Sequence, residues 1–350
     1  MALNTLVKED FEALINSDYI DWSEFEHASI FITGATGLIG SLLTKLFLYY
    51  RKSRGTDMNI IIFARNEEKV NALFGDAVGE DYFSVVYGDI VDQIILSKDV
   101  DYIFHCASVT TSKFMVEHPV ELIRIGVFGT ENVMELARAK QVKKVVYFSS
   151  MEAFGQTREE DNPITEEKLG YIDCLSVRSS YSEGKRMCEC LCASYAKEYG
   201  VPVTIARLGL IFGAGVSRNE SRVFASFARS VLAGEDIVLH TAGNSVGNYC
   251  YTKDALGGLL CLALKGKVSE AYTIVNENTV MRVKEMAQVV IDAVGSGKEK
   301  LTFDIPEDAL TFGYAPDTNM RLSSEKLRGL GWKPTVDLKE MYQRMCKSWE

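Results

Sequence analysis

A glycine triplet between an apolar strand and a helix constrains the fold of this chain more than any other feature. The string TGATGLIG follows the apolar run 29–33 and leads into a helical stretch near 38–53. Glycine permits the tight turn there and lets backbone N–H groups approach a pyrophosphate at the helix N-terminus. A second apolar strand ends at Ala64, about 24 residues after the last glycine, which is the spacing of a mononucleotide-binding unit. The sequence therefore favours a dinucleotide-binding loop over a simple tight turn. The residues predicted to form it are Gly34, Thr36, Gly37, Leu38, Ile39 and Gly40.

Short apolar strands alternate with longer helical stretches along the first 210 residues. Strands are predicted at 29–33, 59–64, 83–87, 101–107, 143–150 and 201–209, and helices near 38–53, 66–74, 117–141 and 179–199. Strands that are apolar on both faces indicate a parallel sheet covered by helices on both sides. The predicted fold is therefore an α/β, Rossmann-type doubly wound parallel sheet.

The chain outside this alternation suggests two further units. Residues 1–27 predict one or two short amphipathic helices as an N-terminal helical extension. Residues 28–210 form the predicted dinucleotide-binding domain. Residues 211–350 predict a smaller mixed α/β substrate lobe, with helices near 222–233, 253–265, 282–294, 323–329 and 337–347. With some chain crossing between them, the two lobes should share a cleft at the carboxyl edge of the strands.

Charge and composition exclude several classes of function. The 38 Lys and Arg residues are outnumbered by 48 Asp and Glu, which gives a net charge of -10 and argues against nucleic acid as a partner. The sequence shows no secretory leader and no apolar run of membrane-spanning length, so we expect a cytoplasmic protein without a membrane partner. Cys188, Cys190 and Cys192 lack the spacing of a zinc site and are interpreted as packing residues, so no metal is predicted.

The end of the second strand bears on the choice of dinucleotide. An acidic residue there would hydrogen-bond the ribose hydroxyls of NAD, and this chain has Ala64 followed by Arg65. Arg65 can meet a 2′-phosphate, which favours NADP, although it can equally be a solvated residue at a helix start. Asp89, after the third strand, is placed to meet the adenine amino group or to cap a helix.

Ser150, Glu152 and a Tyr-Lys pair make up the predicted catalytic group. The strand VVYF delivers Ser149 and Ser150 to its carboxyl end, and Tyr181 and Lys185 follow about thirty residues later. Their i, i+4 spacing puts the last two on one helix face, where the ammonium favours the phenolate and lets tyrosine act as a base. Ser150 would then hold the substrate hydroxyl.

These motifs together resemble the extended short-chain dehydrogenases, specifically the NAD-dependent epimerase/dehydratase family. The likeness rests on the glycine triplet, on HCAS at 105–108, on Ser150 and on Tyr181-x-x-x-Lys185, and it extends over about 28–347. It implies an enzyme that oxidises a nucleotide sugar at C4 by hydride transfer, with Tyr181 as base and Lys185 as its electrostatic partner. It also implies homodimerisation through the helices at 117–141 and 179–199. Further expected cofactor contacts are Ile90, Cys106, Ala107, Ser108, Ser149 and Leu208.

Local similarity narrows the resemblance to UDP-glucuronate decarboxylases and dTDP-glucose 4,6-dehydratases. The segment YSEGKRMCECLCASYAKEYG is similar to the corresponding decarboxylase helix, and HCASVTTSKFM, with Thr110, would run beneath the sugar. Three positions depart from the family pattern, because Gly126, Leu210 and Gly247 stand where members have two asparagines and an arginine. Substrate anchoring must therefore differ. The candidate replacements are Arg218, Arg222 and Arg321, each of which can also be a solvated charge.

Met151, which is also a predicted substrate contact, and Glu152 bear on the reaction. The Ser150-Met151-Glu152 trio stands where 4,6-dehydratases of the family have Thr-Asp-Glu, and methionine cannot protonate a departing hydroxyl. The resemblance to decarboxylases, which keep the glutamate alone, favours decarboxylation or epimerisation after oxidation at C4. Glu152 can instead be a loop carboxylate with a structural hydrogen bond. An NADP-dependent 4-ketoreductase and a non-catalytic dinucleotide-binding regulator stay open as alternatives.

Overall fold

Seven parallel strands form the central sheet of the computed structural model, which describes residues 3–305 and 318–350. The strands are β1 (Ser29–Thr33), β2 (Asn59–Ala64), β3 (Phe83–Tyr87), β4 (Tyr102–His105), β5 (Lys144–Ser150), β6 (Val203–Leu208) and β11 (Ala271–Ile274). Their order is β11-β6-β5-β4-β1-β2-β3 and every pairing is parallel. The order reverses between β1 and β4, where open α/β sheets bind ligands. The predicted Rossmann-type sheet is confirmed.

Helices cover both faces of this sheet. In the first half they are α1 (Thr5–Ile15), α2 (Leu38–Arg54), α3 (Glu67–Phe74), α4 (Ser112–Glu117), α5 (Pro119–Lys140) and α6 (Ser179–Tyr199). The sequence predicted one helix over 117–141. The structure begins α5 at Pro119, since proline favours the first turn of a helix, and places the separate short α4 before it. One apolar core lies on each side of the strands.

Beyond residue 208 the elements are shorter and mixed, as predicted. The remaining strands are β7 (Leu210–Phe212), β8 (Ile237–Leu239), β9 (Val246–Gly247), β10 (Tyr249–Tyr251), β12 (Met281–Arg282) and β13 (Leu301–Phe303). The remaining helices are α7 (Val223–Leu232), α8 (Thr252–Lys265), α9 (Val283–Val294), α10 (Glu325–Arg328) and α11 (Leu338–Lys347). Because β11 joins the central sheet beside β6, the chain crosses back from this region into the sheet. No helix among the described residues is long and apolar enough to cross a membrane.

The N-terminal extension packs into the main core. The α1 helix is followed by a 3₁₀ turn over Trp22–Phe25, and Phe25 is fully buried. The Phe25 ring lies 5.5 Å from the ring of Phe47 in α2 and 4.9 Å from that of Tyr102 in β4. This extension therefore covers one face of the sheet next to β1 and β4.

We predict that Phe25→Ala lowers the free energy of unfolding by about 3–5 kcal/mol, because it leaves a cavity between α2 and β4. Glu24→Ala, at an exposed position of the same turn, is the control and should change stability little. Denaturant unfolding of both variants measures the difference. Equal midpoints would show that the extension contributes nothing to the core.

Candidate active site

The glycine loop forms a tight turn that side chains would block. Gly34 has φ +64°, in the left-handed region that glycine adopts without strain, and a Cβ there would lie 2.7 Å from the Ala107 nitrogen. The Gly37 N–H donates to the Gly34 carbonyl at 3.0 Å and closes the turn. A Cβ on Gly40 would overlap the same carbonyl. The loop therefore brings bare backbone to the carboxyl edge of β1.

The N-terminus of α2 fits a pyrophosphate. Gly37 is its N-cap and no side chain caps this end of the helix, so the first-turn N–H groups of Leu38 and Ile39 point out of the helix without a side-chain acceptor. The helix dipole adds partial positive charge at the same place. These groups would hold the phosphates of a dinucleotide.

The adenosine side of the loop contains an ion pair. Arg65 Nη1 lies 3.7 Å from Asp89 Oδ2, and Asp89 Oδ1 accepts a hydrogen bond from the Val91 N–H at 3.2 Å. The Arg65 side chain is 64 % exposed, so it is free to reorient toward a ligand. Ile90 is buried after the turn, and its carbonyl accepts from Asn132 Nδ2 at 2.9 Å. The structure therefore brings Arg65 and Asp89 together, where the sequence treated them separately.

A buried histidine fixes the HCAS turn. Thr33 Oγ1 and His105 Nδ1 are 2.8 Å apart, and the Ala107 N–H donates to the same threonine oxygen at 3.2 Å. Burial, assisted by the charge of Lys185, lowers the pKa of His105 to about 3, so the ring is neutral. This network holds Cys106, Ala107 and Ser108 beside the glycine loop.

The Tyr-Lys pair lies on the buried face of α6. Tyr181 and Lys185 are both buried, and Lys185 Nζ lies 5.7 Å from the centre of the Tyr181 ring. Lys185 Nζ also donates to the Phe148 carbonyl at 2.7 Å, which ties the helix to β5. Burial lowers the pKa of Lys185. The spacing in the sequence correctly predicted this shared face.

Burial and the nearby Glu152 carboxylate raise the pKa of Tyr181 to about 12. Hydrogen bonds to Ser150 and Ser108 oppose that shift, as does the charge of Arg178. Tyr181 therefore meets Ser150 together with Ser108 from the HCAS turn. The sequence named Lys185 as the cation that stabilises the phenolate, and the structure adds Arg178, which sequence reasoning missed.

Glu152 lies in the 3₁₀ turn Met151–Phe154 directly after β5. Arg178 Nη2 donates to Glu152 Oε1 at 2.9 Å, and Ser182 Oγ donates to Oε2 at 3.2 Å. The Ser150 Oγ accepts the Glu152 N–H at 3.2 Å and caps the turn. A carboxylate, a guanidinium and a phenol thus converge from the loop after β5 and from the start of α6.

A second carboxylate, that of Glu189, binds the Ser149 side chain of β5. Ser149 Oγ donates to Glu189 Oε1 at 2.5 Å, and Arg207 binds the same carboxylate through Nε at 3.0 Å and Nη2 at 2.7 Å. Sequence reasoning missed Glu189 and Arg207, although Glu189 continues the i, i+4 stripe of Tyr181 and Lys185. In the sheet, Ser149 and Ser150 pair in register with Arg207 and Leu208. Leu208 therefore lies at the same edge as the serines.

The predicted substrate contacts fall into two groups. Met151 packs against a small cluster that includes Phe154 and Met320, and Arg321 is exposed directly beside Met320. Thr110 is exposed next to Val109, which packs with Tyr181. Thr110, Met151 and Arg321 thus lie in or beside the clusters that contain Tyr181 and Phe154.

Arg218 and Arg222 are not joined to Ser150, Glu152 or Tyr181 by any contact among the described residues. Arg218 lies near the Cys346 thiol of α11, whose pKa it lowers in opposition to burial. Arg222 forms an ion pair with Glu220 at 2.9 Å and holds the pKa of that carboxyl below its usual range. Their role in substrate binding stays a prediction.

The model of a family described as "NAD dependent epimerase/dehydratase family" matches residues 30–276. The chain belongs to this family. It is therefore an enzyme of the extended short-chain dehydrogenase type, as its motifs predicted.

Named relatives point to nucleotide-sugar chemistry. UDP-glucuronic acid decarboxylase 1 of Xenopus tropicalis is 28 % identical over 324 residues, which is 91 % of this chain and 71 % of the relative. UDP-glucuronic acid decarboxylase 6 of Arabidopsis thaliana is 29 % identical over 89 % of this chain and 85 % of its own length. Human dTDP-D-glucose 4,6-dehydratase is 22 % identical over 89 % of this chain and 87 % of its own length.

Solved structures share the fold. An epimerase from Methanothermobacter thermautotrophicus has a TM-score of 0.75 at 20 % identity, covering 99 % of this chain and 95 % of that one. UDP-glucuronic acid 4-epimerase from Bacillus cereus, in complex with UDP-glucuronic acid and NAD, has a TM-score of 0.74 at 17 % identity, covering 92 % and 98 %. At this identity the likeness shows the architecture alone.

Proposed function

We propose that this enzyme oxidises the sugar of a nucleotide sugar at C4 by hydride transfer and then decarboxylates or epimerises the product. The observation that carries the proposal is the convergence of Tyr181, Ser150 and Glu152, with Lys185 one turn along the same helix. The membership in the epimerase/dehydratase family and the UDP-glucuronic acid decarboxylases among the relatives support it.

In the first step Tyr181 takes the proton of the C4 hydroxyl while the C4 hydrogen leaves as hydride. Ser150 donates a hydrogen bond to the same oxygen and orients it. An oxidised nicotinamide, when bound, would supply the hydride acceptor and a positive charge that favours the phenolate. That charge matters because the pKa of Tyr181 is about 12 in the protein alone, so the phenol is protonated at neutral pH.

The second step uses the C4 carbonyl that the first creates. The ketone makes the C5 proton acidic and lets a carboxylate on C5 leave as carbon dioxide, with the electron pair held by the ketone. Glu152 is the group we assign to proton transfer at C5. Return of the hydride to C4, with Tyr181 giving the proton back to the C4 oxygen, would then restore the hydroxyl and the oxidised cofactor. Met151 cannot protonate a departing hydroxyl, which makes a 4,6-dehydration less favourable than decarboxylation or epimerisation.

We predict that Glu152→Gln and Tyr181→Phe fail at different steps. Tyr181→Phe should lower the hydride-transfer rate by about 100-fold or more while both ligands still bind, because the phenol acts in the transition state. Glu152→Gln should transfer hydride in one turnover and then stall, with reduced cofactor accumulating. Rapid-mixing absorbance of the reduced nicotinamide, over a panel of sugar nucleotides that includes uronic acids, measures both.

The same experiment separates the alternatives. A 4-ketoreductase would keep its overall rate within a few fold in Glu152→Gln. A dinucleotide-binding regulator would reduce no cofactor with any sugar nucleotide. Undiminished hydride transfer by Tyr181→Phe would refute the assigned base, and Glu160→Gln, in an exposed loop, is the matched control.

We also propose that Arg65 gives the enzyme a preference for NADP. Its guanidinium lies 3.7 Å from Asp89 and is largely exposed, so a 2′-phosphate can compete for it. The NAD complexes among the structural neighbours are a property of those proteins and leave this preference to experiment.

For the cofactor we predict that Arg65→Asp weakens NADP binding by about tenfold or more and NAD binding less, because it replaces attraction by repulsion at the phosphate. Arg65→Lys keeps the charge and should retain most of the preference. Calorimetric titration with each dinucleotide measures the ratio of dissociation constants. A ratio that Arg65→Asp leaves unchanged would rule out this role.

Finally, we propose a homodimer through α5 and α6. Val120, Ile123 and Phe128 of α5 and Met187 of α6 are exposed apolar side chains, while Leu191 is half-buried one turn after Met187. Four such helices from two subunits would bury these side chains.

The dimer predicts that Ile123→Glu produces monomers at concentrations where the natural chain is dimeric, because a carboxylate would be buried in the interface. Ile95→Glu, at an exposed isoleucine outside both helices, is the control and should stay dimeric. Light scattering at micromolar concentration reports the mass. A natural chain that is monomeric throughout that range would disprove the interface.

A further inference from the structure

Arg178 occupies the junction between the two proton-transfer groups of the proposed reaction. It is the N-cap residue of α6, three residues before Tyr181, and its guanidinium carbon lies 6.0 Å from the centre of the Tyr181 ring. Its Nη2 donates to Glu152 Oε1 at 2.9 Å. One side chain therefore connects the loop after β5 to the helix that carries the base.

The Glu152 carboxylate depends on Arg178 for its ionic partner. Its other oxygen accepts a hydrogen bond from the neutral Ser182 hydroxyl. Among residues 3–305 and 318–350, Glu152 is the acidic side chain that forms an ion pair with Arg178. Arg178 Nη1 is buried and makes no hydrogen bond to any described residue. The guanidinium is thus committed to Glu152, with no second acid from the described part of the chain to share it.

We propose that Arg178 is a positioning residue that holds Glu152 against the start of α6 and cancels the charge that Glu152 presents to Tyr181. The proposal rests on the proposed function for the roles of Glu152 and Tyr181. Without the arginine, a lone carboxylate would face the phenol and oppose its ionisation. With it, Tyr181 faces a neutral ion pair.

Few other charged groups lie near Tyr181 that could balance the charge of Glu152. The titratable or charged groups that face it are Glu152 from the loop after β5, Tyr147 from β5, and Arg178 and Lys185 from α6. Tyr147 is buried and its pKa is raised far above the usual value, so it is neutral. Lys185 is committed to the Phe148 carbonyl, while Arg178 is the cation that pairs with the Glu152 carboxylate among the described residues.

Removing each charge should therefore move the Tyr181 titration in a different direction. Arg178→Met leaves Glu152 uncompensated and should raise the titration midpoint. Glu152→Gln leaves the guanidinium and should lower it. The double variant removes both charges and should titrate near the natural protein, which a general loss of structure would not produce.

The experiment is a pH titration followed by NMR of protein labelled with ring-carbon-13 tyrosine and saturated with oxidised cofactor. Tyr181→Phe identifies the signal by its loss. We expect shifts of about one pH unit for each single variant, in opposite directions, since the Arg178 guanidinium carbon lies 6.0 Å from the centre of the Tyr181 ring and the Arg178–Glu152 pair is partly exposed. Arg158→Met, which removes an exposed arginine in a nearby loop, is the control and should leave the midpoint unchanged.

The inference is overturned if Arg178→Met has the same Tyr181 titration midpoint as the natural protein. It is also overturned if the double variant has the raised midpoint of Arg178→Met and not the midpoint of the natural protein. Arg178→Lys keeps the charge and should return the midpoint toward the natural value, so the test survives if the methionine variant fails to fold. The titration needs no turnover. A protein that reduces no cofactor with any sugar nucleotide would defeat the proposed function and leave this result standing.

Discussion

The close approach of Gly34 to the Ala107 backbone is the contact on which the site depends. Because Gly34 has no Cβ, the end of β1 and the turn after β4 meet at the point where the strand order reverses. The buried Thr33 and His105 side chains hydrogen-bond to each other, and the Ala107 N–H donates to Thr33, so these contacts hold the end of β1 to the turn after β4. Any larger residue at Gly34 would separate the glycine loop from HCAS, and with it the phosphate end of the site from Ser108 and Tyr181.

Burial is the main physical constraint on the proposed catalytic half of the site, which contains Tyr181 and Lys185. Removal from water raises the pKa of Tyr181 and lowers that of Lys185, so both groups are pushed toward their neutral forms. Hydrogen bonds and charges must then restore a reactive phenol. Ser150 and Ser108 supply part of this, and in our proposal the Arg178–Glu152 pair limits the negative charge near the phenol.

What the sequence predicted follows from the range of the interactions involved. The glycine turn, the alternating strands and the Tyr181–Lys185 face are local, because a turn or an i, i+4 spacing fixes them within a few residues. Arg178 and Glu152 are 26 positions apart, and Arg207 and Glu189 are 18 apart, so each pair meets only after the helix docks on the sheet. No periodic pattern in a sequence identifies the acidic residue with which an arginine pairs. Arg222 pairs with Glu220 only two positions away, but sequence alone does not distinguish such a local ion pair from a ligand-binding arginine.

The two halves of the site also differ in how much they reveal about the reaction. The cofactor half is made mainly of backbone, and its requirements are shared by every enzyme that binds a dinucleotide this way. The substrate half is made of side chains from separate segments, and Met151 joins the apolar cluster of Phe154 and Met320 instead of offering a proton. Glu152 is then the acidic side chain of that turn, and it is held by Arg178 and Ser182. In the proposed reaction, the chemistry after the first oxidation depends on this one carboxylate, so the fold indicates the cofactor class more firmly than the product.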